Sequence, residues 1–335
     1  MKKVLVTGAT GFIGRHLVRA NISRGNHVSA LVLPGDPGEV YLKALGVEVR
    51  SGDICDYGAV KRAVAGCELV FHCAAVVTDW APEKLFREVT VGGTENICKA
   101  AVEAGVSRLV DMSTNDVFGV DESKILDESM PADYWGEPYP DSKIDSEKIL
   151  WRYYKEKGLP VTMVYACWVY GDGDQTFVPL LADAIVKKEL IFWRRDVLVW
   201  PTYIDNLVDL LMLIAEDPRA VGNGYLVHDG ESTTLQEFCD GIANELGVTP
   251  IRTYIPYFAA MSAAFIMELV WRLFHLKTRP LLTTYTVKNL GSRLKFSIEK
   301  AKKELGWKPA ISYRLGFERT MKWLKTLDRA TLKQK

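Results

Sequence analysis

The 335-residue chain is poor in several features that would mark a function class. Its six cysteines, Cys55, Cys67, Cys73, Cys98, Cys167 and Cys239, include no C-x-x-C pair, and it has only five histidines. That scatter suits reduced thiols and gives neither a zinc pattern nor a disulfide framework, so no metal is expected. Neither sign of charge is in surplus, with 42 basic against 42 acidic side chains. The balance argues against nucleic acid as a partner, because that affinity comes mostly from cations meeting phosphates. The run Val4-Leu5-Val6 behind Lys2-Lys3 is too short for a secretion signal, and a cytoplasmic location is expected. No internal repeat or low-complexity linker interrupts the chain. A 48% apolar content with 9 Trp, 14 Tyr and 12 Phe instead provides for a large packed core.

The first half alternates two kinds of segment. Short β-rich runs at Lys3–Thr7, His27–Leu33, Val47–Arg50, Glu68–Cys73, Arg108–Ser113 and Pro160–Ala166 are bounded by turn residues. Helical patterns lie between them, notably Phe12–Arg24 and Pro82–Ala104, the latter with Leu85, Val89 and Ile97 spaced for a buried stripe. This alternation predicts an α/β fold with a doubly wound parallel sheet. Further on, a strand is expected near Val197–Ile204, a helix from Asp205 to about Glu216, a strand at Gly224–His228, and a helix capped at Thr233-Thr234. The C-terminal third reads as mostly helical.

Glycines 8, 11 and 14 in Thr7-Gly8-Ala9-Thr10-Gly11-Phe12-Ile13-Gly14 follow the first strand and open the first helix. Such glycines allow a tight turn, a close approach of backbone N–H groups to a pyrophosphate, and close helix–strand packing. The helix N-terminus adds positive potential for the phosphates. The context predicts dinucleotide binding. At the end of the second strand, Leu33-Pro34-Gly35-Asp36 has neither the carboxylate nor the arginine that would select between ribose 2′-hydroxyl and 2′-phosphate. Asp36 comes slightly late and Arg15 could reach a 2′-phosphate, so NAD and NADP both stay open.

Tyr139-Pro140-Asp141-Ser142-Lys143 puts a phenol and an ammonium at i and i+4, on one helix face. Pro140 suits only a first helical turn, which places Tyr139 at the helix entrance. A neighbouring cation favours the phenolate, making the pair a plausible general acid–base group. Ser113 and Thr114 end the fifth strand at its C-terminal tip, where open α/β sheets bind ligands, and a hydroxyl there can bond a substrate oxygen as its charge changes.

Together these segments resemble the extended short-chain dehydrogenase/reductase family, that of the NAD-dependent epimerases and dehydratases. Further matching pieces are Gly52-Asp53-Ile54, His72-Cys73-Ala74-Ala75, the run from Ser113 to Gly119, Val169-Tyr170-Gly171, and the tail from Lys300 to Pro309. The resemblance implies Thr114, Tyr139 and Lys143 as the catalytic set. It implies a cofactor held by Gly8, Thr10, Gly11, Phe12, Ile13, Gly14, Arg15 and Ser113, with Asp53 and Ile54 flanking the adenine and Ala74 and Ala75 lining the dinucleotide. Tyr139 and Lys143 would touch the cofactor as well. Cys167 and Trp168, standing where relatives carry Arg-Pro, would lie beside the nicotinamide and the substrate. Thr90 stands where the family's N-x-x-G-T motif has Asn. A Rossmann domain over 1–166 and a substrate-binding region over 167–335, partly interleaved with the sheet, are expected.

Nucleotide-sugar epimerases of this kind carry an arginine before the segment matching Tyr203-Ile204-Asp205-Asn206; here Val199-Trp200-Pro201-Thr202 has no cation. The pattern is more similar to the 3β-hydroxysteroid dehydrogenase branch. It implies a bulky apolar, steroid-like or lipid-like, alcohol or ketone as substrate. A nucleotide-sugar epimerase or dehydratase and a non-catalytic NAD(P) sensor are the alternatives. Residues 254–274 form a long apolar segment, too short to span a bilayer, where about 20 residues are needed. A buried core helix is expected there, with a substrate lid or a peripheral membrane contact as alternatives. It is also expected to form one wall of the substrate site together with Trp168 and Trp200. A homodimer is expected.

Overall fold

A computed structural model describes residues 1–276 and 278–328. Seven parallel strands form the central sheet: β1 (Lys3–Thr7), β2 (His27–Val32), β3 (Glu48–Ser51), β4 (Leu69–His72), β5 (Arg108–Thr114), β6 (Val161–Ala166) and β7 (Asn223–Val227). Their spatial order is β7-β6-β5-β4-β1-β2-β3. Val4, Leu5, Val6, Val70, Phe71, Leu109 and Val161 have essentially no accessible surface. Strands covered by helices on both faces are apolar at consecutive rather than alternate positions. That is why these short runs were legible as parallel strands.

The register fixes the location of the site. Thr7 lies level with Leu31 of β2 on one side and with His72 of β4 on the other. The strand order reverses at β1, so the crevice between the turns after β1 and β4 is the switch point at which such sheets receive ligands. Helix α1 (Phe12–Ser23) leaves that turn. Outside β2 and β3 run α2 (Gly38–Ala44) and α3 (Tyr57–Val64), the latter capped by the Asp56 carboxylate accepting from Gly58 N at 2.8 Å.

The expected helix Pro82–Ala104 is continuous but not uniform. After one α-helical turn, Phe86–Gly92 widens to π-helical hydrogen bonding before α4 (Gly93–Ala104). A wider turn rotates the side chains off the 3.6-residue stripe. Phe86 and Thr90 are therefore the buried residues of that stretch, and Leu85, expected in the stripe, is exposed. Helix α5 (Pro138–Lys157) carries Pro138 and Pro140 in its first turn and ends at Gly158, whose φ of 68° suits a left-handed cap.

Beyond β6 the chain adds α6 (Val178–Val186), α7 (Ile204–Ile214), β7, α8 (Leu235–Leu246), α9 (Tyr257–Leu273), α10 (Thr284–Asn289), α11 (Glu299–Leu305) and α12 (Tyr313–Leu324). The single strand expected at Val197–Ile204 is two, divided at Trp200. Leu198–Val199 pairs antiparallel with Thr233–Thr234, and Pro201–Tyr203 pairs parallel with Trp168–Tyr170. The cap expected at Thr233-Thr234 is made by Thr234, in a reciprocal box with Glu237.

Helix α9 corrects the expectation of a buried core helix. Its buried residues are the small Ala260 and Ala264, packed with Val287 in a cluster apart from the main core; Tyr257 and Met261 are half-buried against that cluster, while Phe258, Phe265, Ile266, Leu269 and Leu273 point outward. Trp168 and Trp200 pack on the main core instead. Trp168 lies against Phe177 at 4.7 Å, and Trp200 lies over His228 and donates to Leu294 O at 2.7 Å. Of the expected wall, Tyr254 packs on the same core as both tryptophans, whereas Ala260 and Ala264 belong to the separate cluster.

Candidate active site

At the glycine turn each glycine meets a different constraint. Gly8 has φ +66°, and a Cβ there would sit 2.9 Å from Ala74 N. A Cβ on Gly14 would fall 2.1 Å from Gly8 O, so this glycine lets α1 lie against the turn. Gly11 meets only Gly8 O at 3.3 Å and faces open space. No side chain caps α1, which leaves its first N–H groups for an anion.

The floor of the crevice is one chain of hydrogen bonds. Thr7 Oγ1 accepts from Cys73 N and Ala74 N and lies 2.8 Å from His72 Nδ1. His72 Nε2 lies 3.1 Å from Thr94 Oγ1, whose hydroxyl donates to Thr90 O at 2.7 Å. Thr94 has spent its proton, so Nε2 must be the donor and Nδ1 must accept from Thr7. Burial, opposed by Asp111 and aided by Lys143, pushes His72 down to about 4, keeping it neutral. Thr90, in the Asn position, accepts from Val76 N at 3.1 Å and ties that loop to the same chain.

Ile54 packs on Gly93, and its carbonyl accepts from Asn96 at 2.9 Å; Asp53 holds Cys55 N at 2.8 Å on the exposed side. Asp36 is already engaged, accepting from Thr10 Oγ1 at 2.8 Å and Gly38 N at 2.7 Å. The Arg15 guanidinium lies 5.2 Å over the Tyr41 ring, and its Nε is buried with no partner.

The reacting groups stand across the crevice. Lys143 is buried and donates from Nζ to Met112 O on β5 at 2.6 Å. Thr114 is hydrogen-bonded to the Tyr139 phenol, and Ser113 Oγ is buried without a partner. From the sequence, Lys143 is expected to lower the phenol. Burial, followed by the nearby Asp116 carboxylate, instead pushes Tyr139 well above its ordinary value, with the Thr114 bond working the other way.

The crevice, its glycines, the unpaired Ser113 and Arg15 donors, and the Thr114–Tyr139–Lys143 arrangement all fit a dinucleotide. A model of the NAD dependent epimerase/dehydratase family matches residues 4–227. The chain belongs to this family. It is 28% identical over 324 residues, 94% of this chain and 95% of the relative, to a 4-hydroxy-2-methyl-3-oxo-4-farnesyl-3,4-dihydroquinoline-1-oxide ketoreductase of Stigmatella aurantiaca. It is 30% identical to a 2-alkyl-3-oxoalkanoate reductase of Stenotrophomonas maltophilia, covering 95% and 98% of the two chains. A 3β-hydroxysteroid dehydrogenase/Δ5→4-isomerase of Mycobacterium tuberculosis is 29% identical over 92% and 87%. Among solved structures, gox2253 superposes with a TM-score of 0.81 at 26% identity, covering 98% and 99%.

This epimerase/dehydratase family member is thus an NAD(P)-dependent oxidoreductase of the extended short-chain dehydrogenase/reductase type. The groups that close its site carry no motif in the sequence. Asp116, just past β5, is buried and its carboxyl is pushed up to about 6 by that burial, partly opposed by the Tyr285 hydroxyl. Tyr285 comes from α10, donates to Asp116 Oδ2 at 2.7 Å, and stands edge-on to Tyr139 at 6.1 Å. Trp135 packs on Tyr285 and donates from Nε1 to Asp116 O. Cys167 is buried, its thiol pushed far up by burial and then by Asp116.

Polar bonds hold α10 on this rim. Asp79 accepts from both Arg279 Nε (2.6 Å) and Nη2 (2.5 Å) and from the hydroxyls of Thr283 and Thr286. Burial alone would raise Asp79, yet Arg279 and these hydroxyls hold it below the usual carboxylate range. Glu137 accepts from Lys288 at 2.7 Å and lies 3.0 Å from Thr284 Oγ1. Arg194 is engaged with Glu122 at 2.6 Å and Gly291 O.

Proposed function

We propose that the protein interconverts a ketone and a secondary alcohol on a bulky apolar, lipid-like or steroid-like substrate, working as a ketone reductase. The carrying observation is the setting of Tyr139, at the entrance of α5 with Tyr285 edge-on at 6.1 Å and Trp135 packed behind it. A phenol raised by burial and by Asp116 keeps its proton at neutral pH, so it is set up as a general acid. The nicotinamide supplies the hydride when bound. Tyr139, at the entrance of α5, hands its proton to the carbonyl oxygen, with Thr114 bonded to the same phenol. Lys143 anchors the first turns of α5 to β5 by donating to Met112 O, which fixes the helix entrance that carries Tyr139. Tyr285 and Trp135 offer aromatic surface beside Tyr139, which suits an apolar substrate better than a sugar diphosphate.

The relatives support this reading, since two are named for reducing ketones and one for a sterol alcohol. The test is NADPH and NADH oxidation with 2-alkyl-3-oxoalkanoates, 3-oxosteroids and UDP-sugars. Tyr139→Phe should lower turnover roughly 10²- to 10⁴-fold while cofactor binding stays within about twofold. Half or more of the parent activity in Tyr139→Phe sinks the acid assignment. Turnover confined to UDP-sugars sinks the substrate class.

A further inference from the structure

The outward face of α9 has no partner within the described chain. Phe258, Phe265, Ile266, Leu269 and Leu273 of this helix, with Phe274 just beyond, are 56–72% exposed. At 3.6 residues per turn the five helical positions fall within an arc of roughly 100°, one coherent stripe. The opposite arc holds Ala260 and Ala264, which let the helix approach Val287 closely. Elsewhere large apolar side chains such as Leu33, Val40, Leu180 and Leu315 stand exposed without such a stripe. A contiguous apolar patch of this kind marks an interaction surface.

Charge says what covers it. The sequence from 257 to 281 has a single acidic residue, Glu268, and that side chain turns inward, its Oε1 accepting from Thr284 N at 2.7 Å and Thr284 Oγ1 at 2.9 Å. Arg272 is exposed beside the stripe, 3.9 Å from the far oxygen of Glu268 and over the Trp80 ring, and the sequence adds Lys277. Arg195 lies over the Tyr254 ring just before the helix. A second copy meeting this face isologously would bring the same cations together with no outward carboxylate to receive them. An anionic lipid surface satisfies both the stripe and the cations. No described helix is long and apolar enough to cross a membrane. At 1.5 Å per residue α9 is about 25 Å long, and its outward stripe suits a helix lying in the interface plane.

We infer that α9 docks the protein on an anionic lipid bilayer through the Phe258–Phe274 stripe, with its cations on the phosphate headgroups. The inner side of α9 grips Thr284, next to Tyr285 over Tyr139, so the docked face lies one helix away from the reacting phenol. Delivery of an apolar substrate from that surface rests on the proposed function; docking itself does not.

The test is flotation of the full chain with vesicles of phosphatidylcholine alone and of phosphatidylcholine with phosphatidylglycerol at 3:1. The expected result is association with the anionic vesicles, weakened at least tenfold by Phe265→Asp/Leu269→Asp and by raised salt, with NADPH binding and the melting temperature of the variant unchanged. These side chains lie outside the site and are exposed, so the variant is expected to fold. Absence of the parent from anionic vesicles overturns the inference, as does equal flotation of the variant. A parent dimer that the variant breaks, with no vesicle binding, assigns the face to a second copy and overturns it too. Vesicle binding without turnover of any apolar ketone leaves docking standing and removes the proposed substrate class.

Discussion

Asp116→Asn isolates the electrostatic setting of the catalytic phenol. The buried Asp116 carboxylate lies one hydrogen bond from Tyr285 and raises the Tyr139 phenol. Two unit charges about 7 Å apart at an effective dielectric near 20 interact by roughly 2 kcal/mol, or one to two pKa units. Ketone reduction needs the protonated phenol, so the rate falls as pH rises through the Tyr139 pKa. Removing the like charge lowers that pKa, and the basic limb of the kcat profile should move down by about 1–2 pH units. The parent should also show an inflection where Asp116 titrates, at about 6, which the Asn variant lacks. Stability moves with it. A carboxyl raised in the folded state holds its proton more tightly folded than unfolded, so the parent loses stability as pH climbs from 3.8 to about 6. Asn carries no such cost, and the melting temperature of the variant should gain on the parent across that window. The assay is NADPH absorbance from pH 5 to 11 at saturating ketone, paired with thermal melts. A basic limb that stays in place, with an inflection near pH 6 in both proteins, would falsify the coupling.

The glycines should separate by task. Gly14→Val, colliding with Gly8 O, should prevent stable folding, whereas Gly11→Val should melt within a few degrees of the parent yet bind NADPH at least tenfold more weakly; equal cofactor affinity in Gly11→Val denies the turn its phosphate role. With Asp36 occupied and Arg15 Nε unpaired, NADPH should bind more tightly than NADH, and Arg15→Ala should weaken NADPH about tenfold while sparing NADH; calorimetry showing equal losses for both removes Arg15 from 2′-phosphate recognition. Asp79→Ala strips Arg279, Thr283 and Thr286 of their shared acceptor, so limited proteolysis should cut near 279–289 well before global unfolding. Unchanged cleavage kinetics would mean that α10 is held by its apolar contacts alone.

What could be read from the sequence is what depends on local order. The strand–glycine–helix turn, the alternation of β1 to β6 with helices, and Tyr139 one turn before Lys143 are all written within a few residues. The closure of the site is not. Tyr285 reaches Asp116 across 169 residues, and neither belongs to a periodic pattern that points at the other. The signal available was Asp116 itself, an acidic residue two positions beyond the end of β5. Helix α9 misled for a different reason. Apolar side chains on all sides look like core, and only packing shows that alanines face inward while phenylalanines face out. The segment at 197–204 reads as one strand because hydropathy carries no mark of a change of pairing partner at Trp200.

The strand order has a consequence for synthesis on the ribosome. After β1 to β3, each new strand of β4 to β7 is added on one side of the growing sheet, so a nascent chain can extend it in the order it emerges. The last step is delayed. β6 emerges by residue 166, but β7 begins at 223, and at 5–20 residues per second the gap of roughly 60 residues lasts on the order of 3–12 seconds. During that interval Val161-Thr162-Met163-Val164-Tyr165-Ala166, uncharged and fully buried in the finished protein, is an open edge able to pair with another chain. Translation slowed between codons 167 and 223 should therefore raise the insoluble fraction, and the same slowing placed after codon 230 should leave it unchanged.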